Sequence, residues 1–416
     1  MKLLVFAHTP PPHHGQSYMV QLLLHGLGGD RRRGKAKAAS PFGVECYHVN
    51  ARVSKQLEDI GDFRPAKLLL LLWYCLEAIY VRFRHGVENF YYVPAPGKKS
   101  ALYRDWLVMF LCRPFFKRTI LHWHASGLAK WLETSVQIRT RAVTYNAARQ
   151  ADLSIVLSDY GRADAEKLFP RRIAVVGNGI PDPCPTFPTE VLPRRRARLA
   201  VRRLLDSAQP VPAELRAAAG ADPQVLRLLF MAHCTREKGL FEAVQGAIRA
   251  GERLAARRSP ISLRLQVAGQ FMHRDEEESF RRLSSATGSR VVEYVGFVSG
   301  DRKRQLLVEA DVFCFPSHLE SFGLVLAEAM AFGLPIVTSR CGALPEVMSD
   351  DYPGLVDVRA PEQVADAVLR MMSEEPFERL RQRFEALFTV DSHLSRLAEA
   401  LRSVESDTPP PAATEP

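Results

Sequence analysis

Apolar and polar positions along this chain follow two periods. Short, nearly continuous apolar runs read as buried strands: KLLVFAH (2–8), NFYYVP (89–94), RTILHWH (118–124), LSIVLS (153–158) and IAVVG (173–177). Between them, stretches such as SYMVQLLLHGL (17–27) place apolar residues every three to four positions, as helices with one buried face do. Strands and helices in alternation predict parallel sheets flanked by helices. The alternation resumes with LRLLFMA (226–232), LRLQVAG (263–269), VVEYVGF (291–297), DVFCFPS (311–317) and PIVTS (335–339).

Two such series in 416 residues imply two cores. Prolines at 181, 183, 185, 188, 193, 210, 212 and 223 punctuate the segment between them, which also holds the basic RRRARLAVRRLL. That punctuation reads as a linker or insertion. The expected organisation is a first domain over 1–182, a basic linker over 183–224, a second domain over 225–376, closing helices over 377–404 and a tail from 405 to 416 with the composition of disorder. Two doubly wound domains facing each other enclose a cleft, and such sheets bind ligands at their strands' carboxyl ends.

A formal charge of +10 and a pI near 9.3 favour anionic partners. Aromatic residues do not interleave with the arginines of RRRGK (31–35) or RRRARLAVRR (194–203), which disfavours nucleic acid. Seven cysteines with no C-x-x-C suit reduced thiols in a cytoplasm and argue against a disulfide or zinc framework. MKLLVFAHTPPP lacks the apolar core of a signal peptide and reads as a first strand. AKLLLLLWYCLEAIYV (66–81) contains Lys67 and Glu77 and falls short of the roughly 20 residues of a membrane span, so it reads as a buried or membrane-surface helix. Together with the basic RFRH after it and the arginine-rich linker, it raises a peripheral position on an anionic cytoplasmic leaflet. Burial of the first segment and solvation of the second are the competing expectations.

The densest chemistry lies in HLESFGLVLAEAMAFGLP (318–335), where Glu320 and Glu328 stand in otherwise apolar surroundings. A helix starting near Phe322 or Gly323 directs its N–H groups and positive dipole end at the strand's carboxyl edge, an anion site that suits diphosphate. Carboxylates on either side suit vicinal hydroxyls, which each can bind twice. A nucleotide sugar has that layout: sugar, diphosphate, ribose.

PSHLESFGLVLAEAMAFGLP closely resembles the P-S-x-x-E-[SG]-F-G-x-x-x-x-E-A-M-A-x-G-x-P run of the retaining nucleotide-sugar-dependent glycosyltransferases of family 4, which have the GT-B fold. The resemblance covers roughly 1–182 and 225–400. It implies that Glu320 contacts the donor sugar, that the amides of Phe322, Gly323 and Leu324 contact sugar and phosphate, and that Glu328 holds the ribose. CGALPEVM (341–348) and VVGNGI (175–180) resemble two further family loops, with Cys341 and Gly177 as departures. In PPPHHGQSYMV (10–20), Gly15 permits close approach to a phosphate. In HWHASG (122–127), His124 matches a histidine that the family places beside the donor sugar, with His122 as its neighbour. In TREKGLFEAVQGA (235–247), Lys238 and Gly239 match the family's K-G, whose lysine neutralises the leaving diphosphate. His233 stands where the family carries arginine, and Arg236 is the nearest substitute.

The resemblance implies retaining transfer of a sugar from a nucleoside-diphosphate sugar to a glycan or lipid-linked acceptor, in cell-surface polysaccharide or glycolipid synthesis, by front-face attack, with Glu320 as a carboxylate nucleophile the rival route. The chain has no D-x-D tripeptide, which disfavours the metal-dependent GT-A class, so neither metal nor cofactor is expected. A non-catalytic sugar-nucleotide sensor or scaffold and a GT-B epimerase or phosphorylase are the rival readings.

Overall fold

The computed structural model describes residues 1–11, 15–33, 40, 42–53, 65–94, 99–286 and 291–405. The chain divides into two units: Met1–Gly179 with the segment from Val390 onward, and Ile180–Thr389. The first boundary falls three residues before the expected Asp182. Residues 406–416, the expected disordered tail, lie outside the described residues.

The first unit is built on six parallel strands, β1 (Lys2–Phe6), β2 (Glu45–Val49), β3 (Asn89–Tyr92), β4 (Arg118–His122), β5 (Leu153–Val156) and β6 (Ile173–Val175). Their spatial order is β2-β1-β3-β4-β5-β6. The order reverses between β1 and β3, the position at which doubly wound sheets open a crevice. Apolar side chains on both sheet faces explain the continuous runs in the sequence. On one face the Pro65–His85 helix lays Leu71, Cys75, Ala78 and Val81 against Tyr47, Val49 and Phe90. On the other, Gly15–Gly26 contributes Val20 and Leu23 against Leu3 and Val5, and Val390–Ser403 adds Leu397 and Leu401 to the same core. Each buried Leu, Val or Phe among these contributes about 1.5–3 kcal/mol. The expected closing helices therefore part company: Phe377–Leu387 belongs to the second unit and Val390–Ser403 to the first.

The second unit has strands β7 (Val225–Met231), β8 (Ser262–Ala268), β9 (Val292–Gly296), β10 (Val312–Phe315), β11 (Ile336–Ser339) and β12 (Leu355–Val356). All are parallel, in the order β12-β11-β10-β7-β8-β9. This is the dinucleotide-fold order, with its reversal between β7 and β10.

The arginine-rich stretch expected as a solvated linker is an integral helix of this unit, Leu192–Asp206. Three of its six arginines are committed inward. Arg195 donates to the carbonyls of Leu307, Ala310 and Phe332 at 2.6–2.8 Å. Arg198 grips both oxygens of Asp311 at 2.8 and 2.9 Å. Arg202 reaches the same carboxylate at 2.8 Å, outside hydrogen-bonding angles. Burial alone would raise the Asp311 carboxyl, but the charges of Arg202 and Arg198 prevail and hold it well below the usual range. These three arginines are unavailable to a membrane, while Arg196 pairs with Glu375 and Glu378 and Arg203 with the Ser373 carbonyl at the surface.

All seven cysteines are free thiols. Among the described residues no helix is long and apolar enough to cross a membrane.

Candidate active site

In the second unit, the loops that follow β7 and β10 leave adjacent strands on either side of the reversal in strand order. Lys238 sits on the first loop and Glu320 on the second, 82 residues apart in sequence, and the Lys238 ammonium donates to Glu320 Oε2 at 2.7 Å. Backbone and hydroxyl contacts zip the two loops together. His318 N–H donates to Glu237 O at 2.7 Å, and the Ser317 hydroxyl lies 3.1 Å from the same oxygen.

Two glycines make this convergence possible. Gly239 has a φ of +75°, and a Cβ there would overlap the carbonyl of Pro316 on the opposite loop. Gly342 has a φ of +54°, and its Cβ would overlap the carbonyl oxygen of Glu320. Only glycine takes such dihedrals at low cost while allowing backbone this close. The loop after β11 thus seats itself under Glu320, and Ala343 N–H donates to Glu320 O at 3.1 Å. Cys341, the departure from the family pattern, points its thiol at Ser317 O at 3.0 Å.

The helix after Glu320 runs from Leu324 to Ala331. Gly323, with a φ of +82°, sets its start one residue later than the latest start expected, and Glu328 lies just over one turn in. Leu326 N–H donates to the Gly323 carbonyl at 2.8 Å, while the N–H groups of Leu324 and Val325 precede any acceptor the helix can offer. Phe322 is buried and packs edge-on to Phe388, fixing the turn from which these groups emerge. Glu328 is half-buried and pairs with Lys303 at 2.5 Å. Sequence reasoning missed Lys303, on the helix Gly300–Glu309, because the pairing spans 25 residues and no local pattern marks it.

Arg236 is exposed; its guanidinium stacks 4.5 Å from the Phe241 ring centre and its own N–H donates to Glu276 at 2.6 Å. His233 is exposed on the same loop. The second unit therefore brings together Lys238, Glu320 and the start of the Leu324–Ala331 helix, with Arg236 on the loop that carries Lys238.

In the first unit, Gly15 opens the helix after β1, beside that sheet's own reversal point, while residues 12–14 of its loop lie outside the described residues. His124 follows β4 and is half-buried, its ring centre 4.2 Å from that of His122. His122 is buried and bonded through Nδ1 to the Tyr91 hydroxyl. Burial, then the neighbouring charges of His124 and His393, push the His122 imidazole well below its ordinary pKa and keep it neutral. His122 is thus the fixed wall against which His124 is oriented.

The second unit thus sets a paired cation and carboxylate at the reversal point of a dinucleotide-type sheet, beside a glycine-started helix. Residues 213–386 match the family profile described as glycosyl transferases group 1. An uncharacterized glycosyltransferase, MJ1607 of Methanocaldococcus jannaschii, is 34% identical over 164 residues, 39% of this chain and 40% of its own length. A D-inositol 3-phosphate glycosyltransferase of Pseudarthrobacter chlorophenolicus is 34% identical over 137 residues, 33% of this chain and 32% of its own length. The matched stretch thus spans two-fifths or less of these relatives. The crystal structure of Anabaena Alr3699/HepE in complex with UDP superposes with a TM-score of 0.62 at 16% identity, over 97% of this chain and all of that one. The fold is the two-domain GT-B fold.

Proposed function

We propose that this protein is a retaining glycosyltransferase that moves a sugar from a nucleoside-diphosphate sugar to a glycan or lipid-linked acceptor without a metal ion, in the cytoplasm, for cell-surface polysaccharide or glycolipid synthesis. The observation that carries the reading is the Lys238–Glu320 pair, set by two loops on either side of the β7/β10 reversal and partly open to solvent. An ion pair that only held loops together would gain little in such a place. A donor can separate it: diphosphate takes the lysine, sugar hydroxyls take the carboxylate.

In this account Lys238, Arg236 and the N-terminus of the Leu324–Ala331 helix stabilise the charge that grows on the departing diphosphate, an electrostatic role otherwise filled by a cation. The amides of Phe322, Gly323 and Leu324 line the same anion. Glu320 positions the donor sugar, Glu328 exchanges Lys303 for ribose hydroxyls, and His124 and Gly15 act from the first unit. Retention follows from attack on the face from which the diphosphate leaves, with a phosphate oxygen accepting the acceptor's proton.

The test is a screen of UDP-, GDP- and ADP-sugars for slow donor hydrolysis and for transfer, with and without EDTA. One donor is expected to turn over with EDTA present. Hydrolysis of none, despite thermal stabilisation by one, would favour a binding protein; abolition by EDTA with rescue by magnesium or manganese would overturn metal independence.

A further inference from the structure

The Pro65–His85 helix is apolar on both sides, although it lies on the surface of the first unit. Its inner face is spent on the core through Leu71, Cys75, Ala78 and Val81. Its outer face presents Leu69, Trp73, Leu76, Tyr80 and Phe83, each 61–68% exposed. The spacings of four, three, four and three residues align them in one stripe about 21 Å long. A stripe of large apolar and aromatic side chains facing solvent is costly unless something covers it.

The stripe ends at a cationic pocket. Phe83 packs edge-on to the exposed Phe115 at 6.1 Å, and Arg82 donates to the Phe115 carbonyl at 2.9 Å. Directly beyond lies a cavity of about 450 Å³ lined by Phe110, Arg113, Phe116, Lys117, Asp152 and Arg171 among others. Its cations already have protein partners, Lys117 with Glu88 at 2.7 Å, Arg171 with Asp152 at 3.3 Å and Arg113 with the carbonyls of Ala147 and Gln150, but Lys117 and Arg171 keep 64% and 75% of their side chains in solvent, and residues 65–118 as a whole carry nine lysines and arginines against three acids. The pocket sits by Thr119 and Asp152, at the amino-terminal ends of β4 and β5. Gly15 and His124 stand at the opposite, carboxyl edge of that sheet, so the pocket is not part of the site described above.

We propose that this face docks on a lipid bilayer, with the Leu69–Phe83 stripe lying in the interface plane and the Arg113/Lys117/Arg171 pocket holding the phosphate of an anionic glycerophospholipid. Trp and Tyr within the stripe suit the headgroup level, where an aromatic ring meets both apolar and wet surroundings. Cations at the end of an apolar stripe complement anionic lipid. The helix lies on the bilayer and does not cross it, because its inner face belongs to the protein core. The inference goes beyond catalysis and holds or fails whatever the donor.

The test is flotation of the full chain with phosphatidylcholine vesicles, with and without 30% phosphatidylglycerol, at low and high salt, while Trp fluorescence is followed. The intact protein is expected to float with the anionic vesicles, with a blue shift, and to release at high salt. Leu69→Glu/Leu76→Glu should abolish binding; Lys117→Ala/Arg171→Ala should weaken it roughly five- to twentyfold. Both pairs are surface changes, and unchanged melting temperatures will confirm that the variants fold. Failure to float at low salt, equal binding to neutral and anionic vesicles, or a concentration-dependent dimer abolished by Leu69→Glu/Leu76→Glu without vesicle binding would each overturn the proposal.

Discussion

Asp311 and Glu320 stand at opposite ends of β10, and each holds a cation within 3 Å. Asp311, at the amino end, is sealed: its side chain and that of Arg198 are 3% and 2% exposed, and Arg202, the backbone N–H of Arg227 and the surrounding core close around it. Glu320, beyond the carboxyl end, leaves 16% of its side chain and 29% of Lys238's in solvent. The separations are nearly equal, and burial decides what each pair is for. The sealed pair fixes the Leu192–Asp206 helix to the unit, because parting it would leave an uncompensated charge in the core. The open pair loses little when it parts, which is what a site for a charged ligand needs.

The sharpest way to break this contrast is to remove one acid from each end. Asp311→Ala leaves two arginines buried without their counter-charge and should cost about 3–5 kcal/mol, read as a large fall in melting temperature. The Asp311 carboxyl is held below its unfolded value, so its stabilisation is full above about pH 4 and is lost as pH falls further. Asp311→Asn should therefore lack the steepest part of the acid-unfolding limb seen in the intact protein. An unchanged acid limb would mean that the pair is not sealed.

Lys238→Ala, at the open end, should leave melting within a few degrees while lowering kcat by roughly 10²–10³, the usual cost of losing one group that stabilises developing charge. His124→Ala should reduce kcat by a smaller factor, roughly tenfold to a hundredfold, again without unfolding. A fall in melting temperature proportionate to lost activity would make His124 a packing residue instead. Glu328→Ala should raise the donor's Kd about tenfold and leave kcat at saturating donor nearly unchanged, since ribose contacts persist into the transition state. Equal kcat losses in the Lys238 and Glu328 variants would contradict the roles given to them.

The same contrast shows which parts of the molecule were legible in its sequence. Ten of the strands are apolar runs bounded by turns, and they read directly. β2, ECYHV, escaped notice because Glu45 and His48 interrupt it; yet His48 is buried, bonded through Nε2 to Ala7 O at 2.8 Å. β12 has two residues and carries no pattern at all. Glu320, Lys238 and the helix start were readable because their loops carry a contiguous motif. The Leu192–Asp206 helix was misread because arginines suggest solvent. Their spacing held a signal, since Arg195, Arg198 and Arg202 fall on one helical face, but the acid that pairs with Arg198 and the carbonyls that satisfy Arg195 lie more than 100 residues away. Local pattern finds buried apolar groups, whereas buried charge is defined by partners that only the fold brings in. Lys303 opposite Glu328 was invisible for the same reason.

The central claim, that the Lys238–Glu320 pair opens to receive a nucleoside-diphosphate sugar, is tested most directly by calorimetric titration of UDP-, GDP- and ADP-glucose into the intact protein, Lys238→Ala and Glu320→Gln. One donor should bind the intact protein, and both variants should bind it at least tenfold more weakly while melting within a few degrees of the parent. Unchanged affinity in both variants, or no binding of any donor to the intact protein, would contradict the account.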